Sequence, residues 1–237
     1  MVDPVAHARN YPFPVPGKSY IFRNGDVTAY RDDEIDKTLR TPVLAAGSNQ
    51  SNEQLARKYS VFRGDVEIPI QRATVANFDT VYAAHIAAYG SIPSTFYPSP
   101  GTEVTTYVLW LDDAQLNRMH ETEGNYTFDQ LDSIQVNFGN RTQCLERAYV
   151  YTARVGCVNI KGLPVALKEI SARKRTLPEM TQTEMLESLR LRLSSKQNLD
   201  TFIRSHIDSA EVRAERSFAL SEDAIQLNFQ RKTLGKY

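Results

Sequence analysis

Short runs of alternating apolar and polar residues fill the first two thirds of the chain, and a helical spacing takes over after that. Ser19-Tyr20-Ile21-Phe22 and Val27-Thr28-Ala29-Tyr30 flank Asn24-Gly25, a dipeptide suited to a two-residue hairpin turn. Val43 to Ala46 is an apolar run of the kind that fills a buried strand. Val66 to Ala76 alternates as a strand, with Pro69 marking an edge or a bend. Glu103 to Leu111 predicts a central strand, with Trp110 packed beneath a pocket. Ser133 to Phe138 and Gln143 to Arg154 predict an antiparallel pair around a turn at 137–142. Between Asn77 and Ala88 the helical and extended readings compete.

Helix signals sit between and after these strands. Ser51 followed by Gln54 reads as a capping box, opening a helix with Leu55 and Tyr59 on one face. Asp112 is placed to cap a helix that buries Leu116 and Met119 and stops at Gly124. From Leu163 the period becomes helical, with Pro164-Val165-Ala166-Leu167 and Ile170 forming one stripe. Thr181 to Glu184 is a capping box, Asn198 to Ile207 and Ala210 to Leu220 are further helices, and Ser221 caps a last one through Leu227. The first 18 residues, with Pro4, Pro12, Pro14 and Pro16, are expected to run extended over the surface. Arg31 to Arg40 is a charged connector.

Charge removes several function classes. The chain has 237 residues, enough to bury a full core, and its 28 Lys and Arg balance its 28 Asp and Glu. That balance recommends neither nucleic acid nor an anionic membrane as a partner. Apolar runs such as Tyr107 to Leu111 are too short to span a bilayer. No charged-then-apolar leader opens the chain, so a soluble cytoplasmic protein is expected. For the same reason the glycosylation patterns at Asn49, Asn125 and Asn140 are read as chance matches. Cys144 and Cys157 are expected as free thiols. His7, His85, His120 and His206 have no ligand spacing, so neither a metal site nor a cofactor is expected.

Two stretches carry candidate chemistry. Gly47-Ser48-Asn49-Gln50 lies between a strand and a helix start, a junction that gathers backbone N–H groups at the positive end of a helix dipole. A carboxylate or a developing oxyanion suits that place; the bland alternative is an ordinary turn. Glu123 ends the helix that Asp112 begins, where the dipole disfavours a negative charge. Partial burial would raise its pKa toward that of a general base, and the alternative is a solvated glutamate.

Read together, these stretches resemble a known family. Leu44-Ala45-Ala46-Gly47-Ser48-Asn49 is similar to the Y-G-S-N loop of the γ-glutamylcyclotransferase-like superfamily. Tyr97-Pro98-Ser99-Pro100-Gly101-Thr102-Glu103-Val104 is similar to its P-S-P-G-x-x-V strand entry, and Met119-His120-Glu121-Thr122-Glu123-Gly124 to its L-D-x-x-E-G helix end. The three occur in the family's order across roughly residues 40 to 155. The resemblance implies an α+β fold, a small mixed or antiparallel β-barrel flanked by helices over residues 1–160. Residues 161–237 then form a helical appendage, available for homodimerisation or for lining the pocket mouth. It also implies Glu123 as catalytic acid/base and a substrate site of Ala46, Gly47, Ser48, Asn49, Gln50 and Tyr126. Two positions depart: Ala46 stands where the loop tyrosine belongs, and His120 where the aspartate does. Tyr89 is considered as a replacement hydroxyl, against a plain loop aromatic.

The implied reaction needs no metal, cofactor or enzyme nucleophile. In a γ-glutamyl amide the α-amine attacks the γ-carbonyl, releasing 5-oxoproline and a free amine. Holding the two ends together can lower such a barrier by about 7–11 kcal/mol. The partner is a small molecule bearing a γ-glutamyl-like carboxylate. Two other readings stay open: a different small-molecule amide reaction on this fold, and a non-catalytic binding or interaction module. Glu123→Gln is expected to abolish turnover with little effect on stability.

Overall fold

The computed structural model describes residues 3–62, 64–139 and 141–237, with the side chains of 34 and 141–144 outside the description. Asn24-Gly25 turns strand β1 (Tyr20–Arg23) into β2 (Asp26–Ala29), as the dipeptide predicts. The long strands are β4 (Glu67–Tyr82), β5 (Ser94–Leu111), β6 (Tyr126–Phe138) and β7 (Arg141–Ala153), and the short β3 (Thr41–Leu44) lies between β5 and β7. β4 pairs with β5, β5 with β3, β3 with β7, β7 with β6, and β6 returns to β4 through Thr74 and Val75. These five strands close into a barrel in which only β3–β7 is parallel. The fold is α+β, as expected.

Strand alternation divides the core. Along β5, Val108 and Trp110 join one apolar cluster while Tyr107, Leu109 and Leu111 join the other. Helices α2 (Asn52–Tyr59) and α3 (Asp113–His120) pack in the second cluster through Leu55, Tyr59 and Met119. The Tyr59 hydroxyl donates to the Gln115 carbonyl at 2.8 Å and Arg118 Nε to the Lys58 carbonyl at 2.6 Å, which pins the two helices side by side.

Several sequence expectations fail for identifiable reasons. The proline-rich start is not a surface strap. Asp3 accepts from the Val5 and Ala6 amides, Pro4 takes the first helical position, and α1 (Pro4–Arg9) buries Val5 and Ala8 before Tyr11 and Phe13 follow them inside. Ser51 precedes α2, but its hydroxyl donates to the Pro14 carbonyl instead of capping, and Gln54 accepts from Arg57. The ambiguous stretch after Asn77 is strand through Tyr82. Trp110 donates to Gln71 and lies under Lys37, away from the cavity described below.

Beyond residue 160 the chain is not helical alone. The Leu163–Ile170 stripe is short strand: β8 (Asn159–Ile160) pairs with β9 (Leu163–Pro164), and β10 (Ala166–Leu167) pairs with β4. β11 (Ala172–Arg173) joins β5, and β12 (Glu179–Met180) joins β10. Pro164 to Leu167 is buried without a break, and with Ile170 this short run matches a helical stripe as well as a strand. Helices α4 (Gln182–Arg192), α5 (Leu199–Asp208) and α6 (Ala210–Ser221) form where expected, α4 on the Thr181–Glu184 capping box. No helix follows Ser221; the chain instead runs into β13 (Lys232–Lys236), antiparallel to β6. Arg175 clasps the fully buried Asp79 at 2.8 and 3.0 Å, tying this region to β4. Among the described residues no helix is long and apolar enough to cross a membrane.

Candidate functional site

The apolar run of β3 ends at Ala45, whose carbonyl accepts from Thr106, and the chain turns at Gly47 into a single 3-10 turn, Ser48–Gln50. The Gln50 and Ser51 amides close that turn onto the Gly47 and Ser48 carbonyls. Among the described residues, the amides of Gly47, Ser48 and Asn49 have no backbone acceptor. The turn lines a cavity of about 260 Å³, together with Glu123, Tyr126, Tyr89, Tyr11 from the segment after α1, and residues from α2 and β5.

Glu123 is 7% exposed, although it sits past the end of α3 in a turn whose amide donates to the His120 carbonyl. Asn49 Nδ2 donates to Glu123 Oε1 at 2.9 Å, so the loop and the helix end meet across 74 residues of chain. The buried Lys58 ammonium, from α2, binds the same oxygen. No described residue bonds Oε2, which leaves it as the carboxylate oxygen open to a ligand. Asn49 Oδ1 is buried and has no donor. Along the sequence Glu123 has no cation beside it; the fold supplies Lys58, eight residues beyond Gln50 on the next helix.

Beside Ala46 lie hydroxyls that the sequence did not single out. Tyr11 is buried, and its hydroxyl bonds Ser94 Oγ at 2.8 Å and accepts from the Ser94 amide at 3.0 Å. Ser94 Oγ donates in turn to the Ala46 carbonyl at 2.8 Å. A Cβ on Gly47 would lie 2.0 Å from the Tyr11 hydroxyl and 2.3 Å from Ser94 Oγ, so only glycine lets these groups reach the loop. Burial pushes the Tyr11 phenol up to about 12 and raises Tyr89 and Tyr126 as well, which keeps all three as neutral hydroxyls. Tyr89 lines the cavity beside Tyr11, their rings 6.4 Å apart.

Of the residues expected at a substrate site, Ala46, Gly47, Ser48, Asn49, Glu123 and Tyr126 line this one cavity. Gln50 does not: its carbonyl takes the Tyr20 hydroxyl at 2.6 Å, and it borders a separate hollow beside Phe13 and Arg72. His120 is also outside, stacked on Tyr237 at 3.9 Å and bonded to the Tyr151 hydroxyl at 2.8 Å. Tyr11, Lys58 and Ser94 were missed. Lys58 alone left a sequence trace, as a charge at helical spacing from Leu55 on the face that α2 buries. Among the described residues no three His, Cys, Asp or Glu side chains gather to hold a metal. Cys157 is a buried free thiol whose pKa burial pushes up to about 12; the side chain of Cys144 lies outside the described residues.

No family model and no curated protein matches the chain. A solved structure of a "Gamma-glutamyl cyclotransferase" is similar over 82% of this chain and 93% of its own, with a TM-score of 0.40 and 13% identity. A likeness that distant leaves the chemistry to be read from the cavity itself.

Proposed function

We propose that the chain catalyses intramolecular aminolysis of a γ-glutamyl amide, releasing 5-oxoproline and a free amine. One observation carries the reading: the Gly47–Asn49 turn and Glu123, which the motif resemblance pairs, meet at 2.9 Å inside a small polar cavity. The substrate α-carboxylate lies against the turn, whose Gly47 and Asn49 amides have no backbone acceptor among the described residues. Its α-ammonium faces Glu123 Oε2 and the unpaired Asn49 Oδ1, both acceptors. Lys58 holds Oε1 and so fixes the carboxylate without occupying the oxygen that works.

Glu123 takes a proton from the α-ammonium, and the freed nitrogen lone pair forms a bond to the γ-carbonyl carbon. The carbonyl electron pair moves to oxygen and returns as the γ-amide C–N bond breaks. Glu123 then gives its proton to the departing amine, and the second proton, left on the ring nitrogen by the attack, also passes to that amine, so the lactam leaves neutral, the amine leaves as an ammonium and the enzyme ends as it began. The Tyr11 and Tyr126 hydroxyls border the cavity, Tyr126 donating to the Ser94 carbonyl at 3.2 Å and Tyr11 to Ser94 Oγ at 2.8 Å.

The Lys58 contact also favours a second reading, a non-catalytic site in which the ion pair simply opens to receive a carboxylate ligand. A panel of γ-glutamyl peptides and amines separates the two. Release of 5-oxoproline from any member supports cyclisation, whereas saturable binding with no release across the panel supports the binding module.

A further inference from the structure

Next to the candidate site is a second cavity, of about 600 Å³, that the barrel does not build alone. Its walls are the end of β7, the last turn of α6, the segment 226–228 and β13. Arg154, Arg231 and Lys236 line it, and no acidic side chain is among its described lining residues. Arg231 is engaged, with Nε 2.9 Å from Asp129 Oδ2. Arg154 reaches only the Gly124 carbonyl, at 3.5 Å, and neither Arg154 nor Lys236 has a carboxylate partner among the described residues. A hollow that concentrates positive charge in this way focuses an attractive field for anions.

Two residues belong to both cavities. Asn125 is exposed and forms a common rim, and His85 is a common wall. His85 is 6% exposed and its Nδ1 has no hydrogen-bond partner. Burial holds this imidazole neutral, with a pKa pushed down to about 4. A buried polar atom left unpaired costs stability, so a ligand group at this junction would satisfy it.

We propose that the second cavity receives an anionic group, a carboxylate, sulfonate or phosphate, carried on the amine half of the substrate. The γ-glutamyl half sits by Glu123, the linkage crosses at His85 and Asn125, and the anion lies between Arg154 and Lys236. The inference rests on the γ-glutamyl amide reading above, and it gives the C-terminal helices and β13 a part in substrate selection.

Glutaryl amides of a series of ω-amino acids provide the probe: they keep the carboxylate but lack the α-amine and cannot cyclise. Each is compared by calorimetry with the same molecule ending in a carboxamide. At low ionic strength the carboxylate form of at least one chain length is expected to bind about tenfold tighter or more, a preference that salt weakens. In R154Q/K236Q, two exposed positions whose fold is checked by thermal unfolding, the preference should vanish while carboxamide affinity stays. Equal binding of both forms at every length, or a preference that survives R154Q/K236Q, overturns the proposal. Release of 5-oxoproline from the corresponding γ-glutamyl amides is scored separately. Anion preference without release keeps this subsite and discards the cyclisation; release without anion preference does the reverse.

Discussion

Glutamine at position 123 would remove a proton acceptor and also strip Lys58 of its partner. The pair is buried, and breaking such a pair from one side costs about 3–5 kcal/mol, because the remaining charge is uncompensated. Glu123→Gln is therefore expected to lower turnover by about 10²–10⁴ and to lower the unfolding midpoint clearly, contrary to the sequence-based expectation of a silent fold. Adding Lys58→Met should restore most of the stability but none of the turnover. Denaturant titrations beside rate assays check both. Glu121→Gln touches only an exposed pair with Arg118 and should shift stability by less than about 0.5 kcal/mol. Gly47→Ala is expected to cost about 1–3 kcal/mol through its collision with the Tyr11 and Ser94 hydroxyls. Tyr11→Phe removes the nearer of those atoms, so the two changes should combine less than additively in a double-mutant cycle of urea midpoints.

Whole elements decide which side chains reach the cavity. α1 brings Tyr11 there because Val5 and Ala8, three residues apart, bury the same helix face. Removing residues through Phe13 deletes four buried apolar side chains, each worth about 1.5–3 kcal/mol for the larger ones. The shortened chain is expected to melt far below the full one and to lose saturable ligand binding; unchanged binding would take Tyr11 out of the site. The hairpin, β5, α3 and α4 to α6 were legible because each carries its own local signal, a turn dipeptide, alternation or a cap. Leu163–Ile170, β13 and α1 were not. Their conformations follow from partners distant in sequence: β4 for the first, β6 for the second, and α5 together with the Tyr89 loop for the third.

At the scale of the molecule, two buried histidines link stability to pH. His206 has no exposed surface; Nε2 donates to the Gly90 carbonyl at 2.9 Å, and Nδ1 accepts from Arg216 at 2.8 Å. Burial is the main cause that pushes its pKa down to about 4, as it does for His85. A depressed folded value means that the unfolded chain takes up protons first. The neutral-histidine contribution is therefore complete above about pH 6.5 and is lost as pH falls from there toward 4. Each histidine contributes a slope of up to about 1.4 kcal/mol per pH unit within that window. Urea midpoints across that range should fall steeply for the native chain and less steeply for His206→Gln; parallel curves would remove His206 from the linkage.

The sequence by itself determined the hairpin, the central strand, the helices capped at Asp112 and Thr181, and the loop and helix end that meet in the cavity. Those features depend on neighbours a few positions away, so their physics is written locally. Only the tertiary structure decided that Glu123 is partnered by Lys58, that Tyr11 fills the space beside Gly47, that Gln50 turns away, and that a basic cavity adjoins the site. Each of these depends on burial and on contacts across the barrel, and no spacing along the chain encodes the distance between α1, α2 and the end of α3.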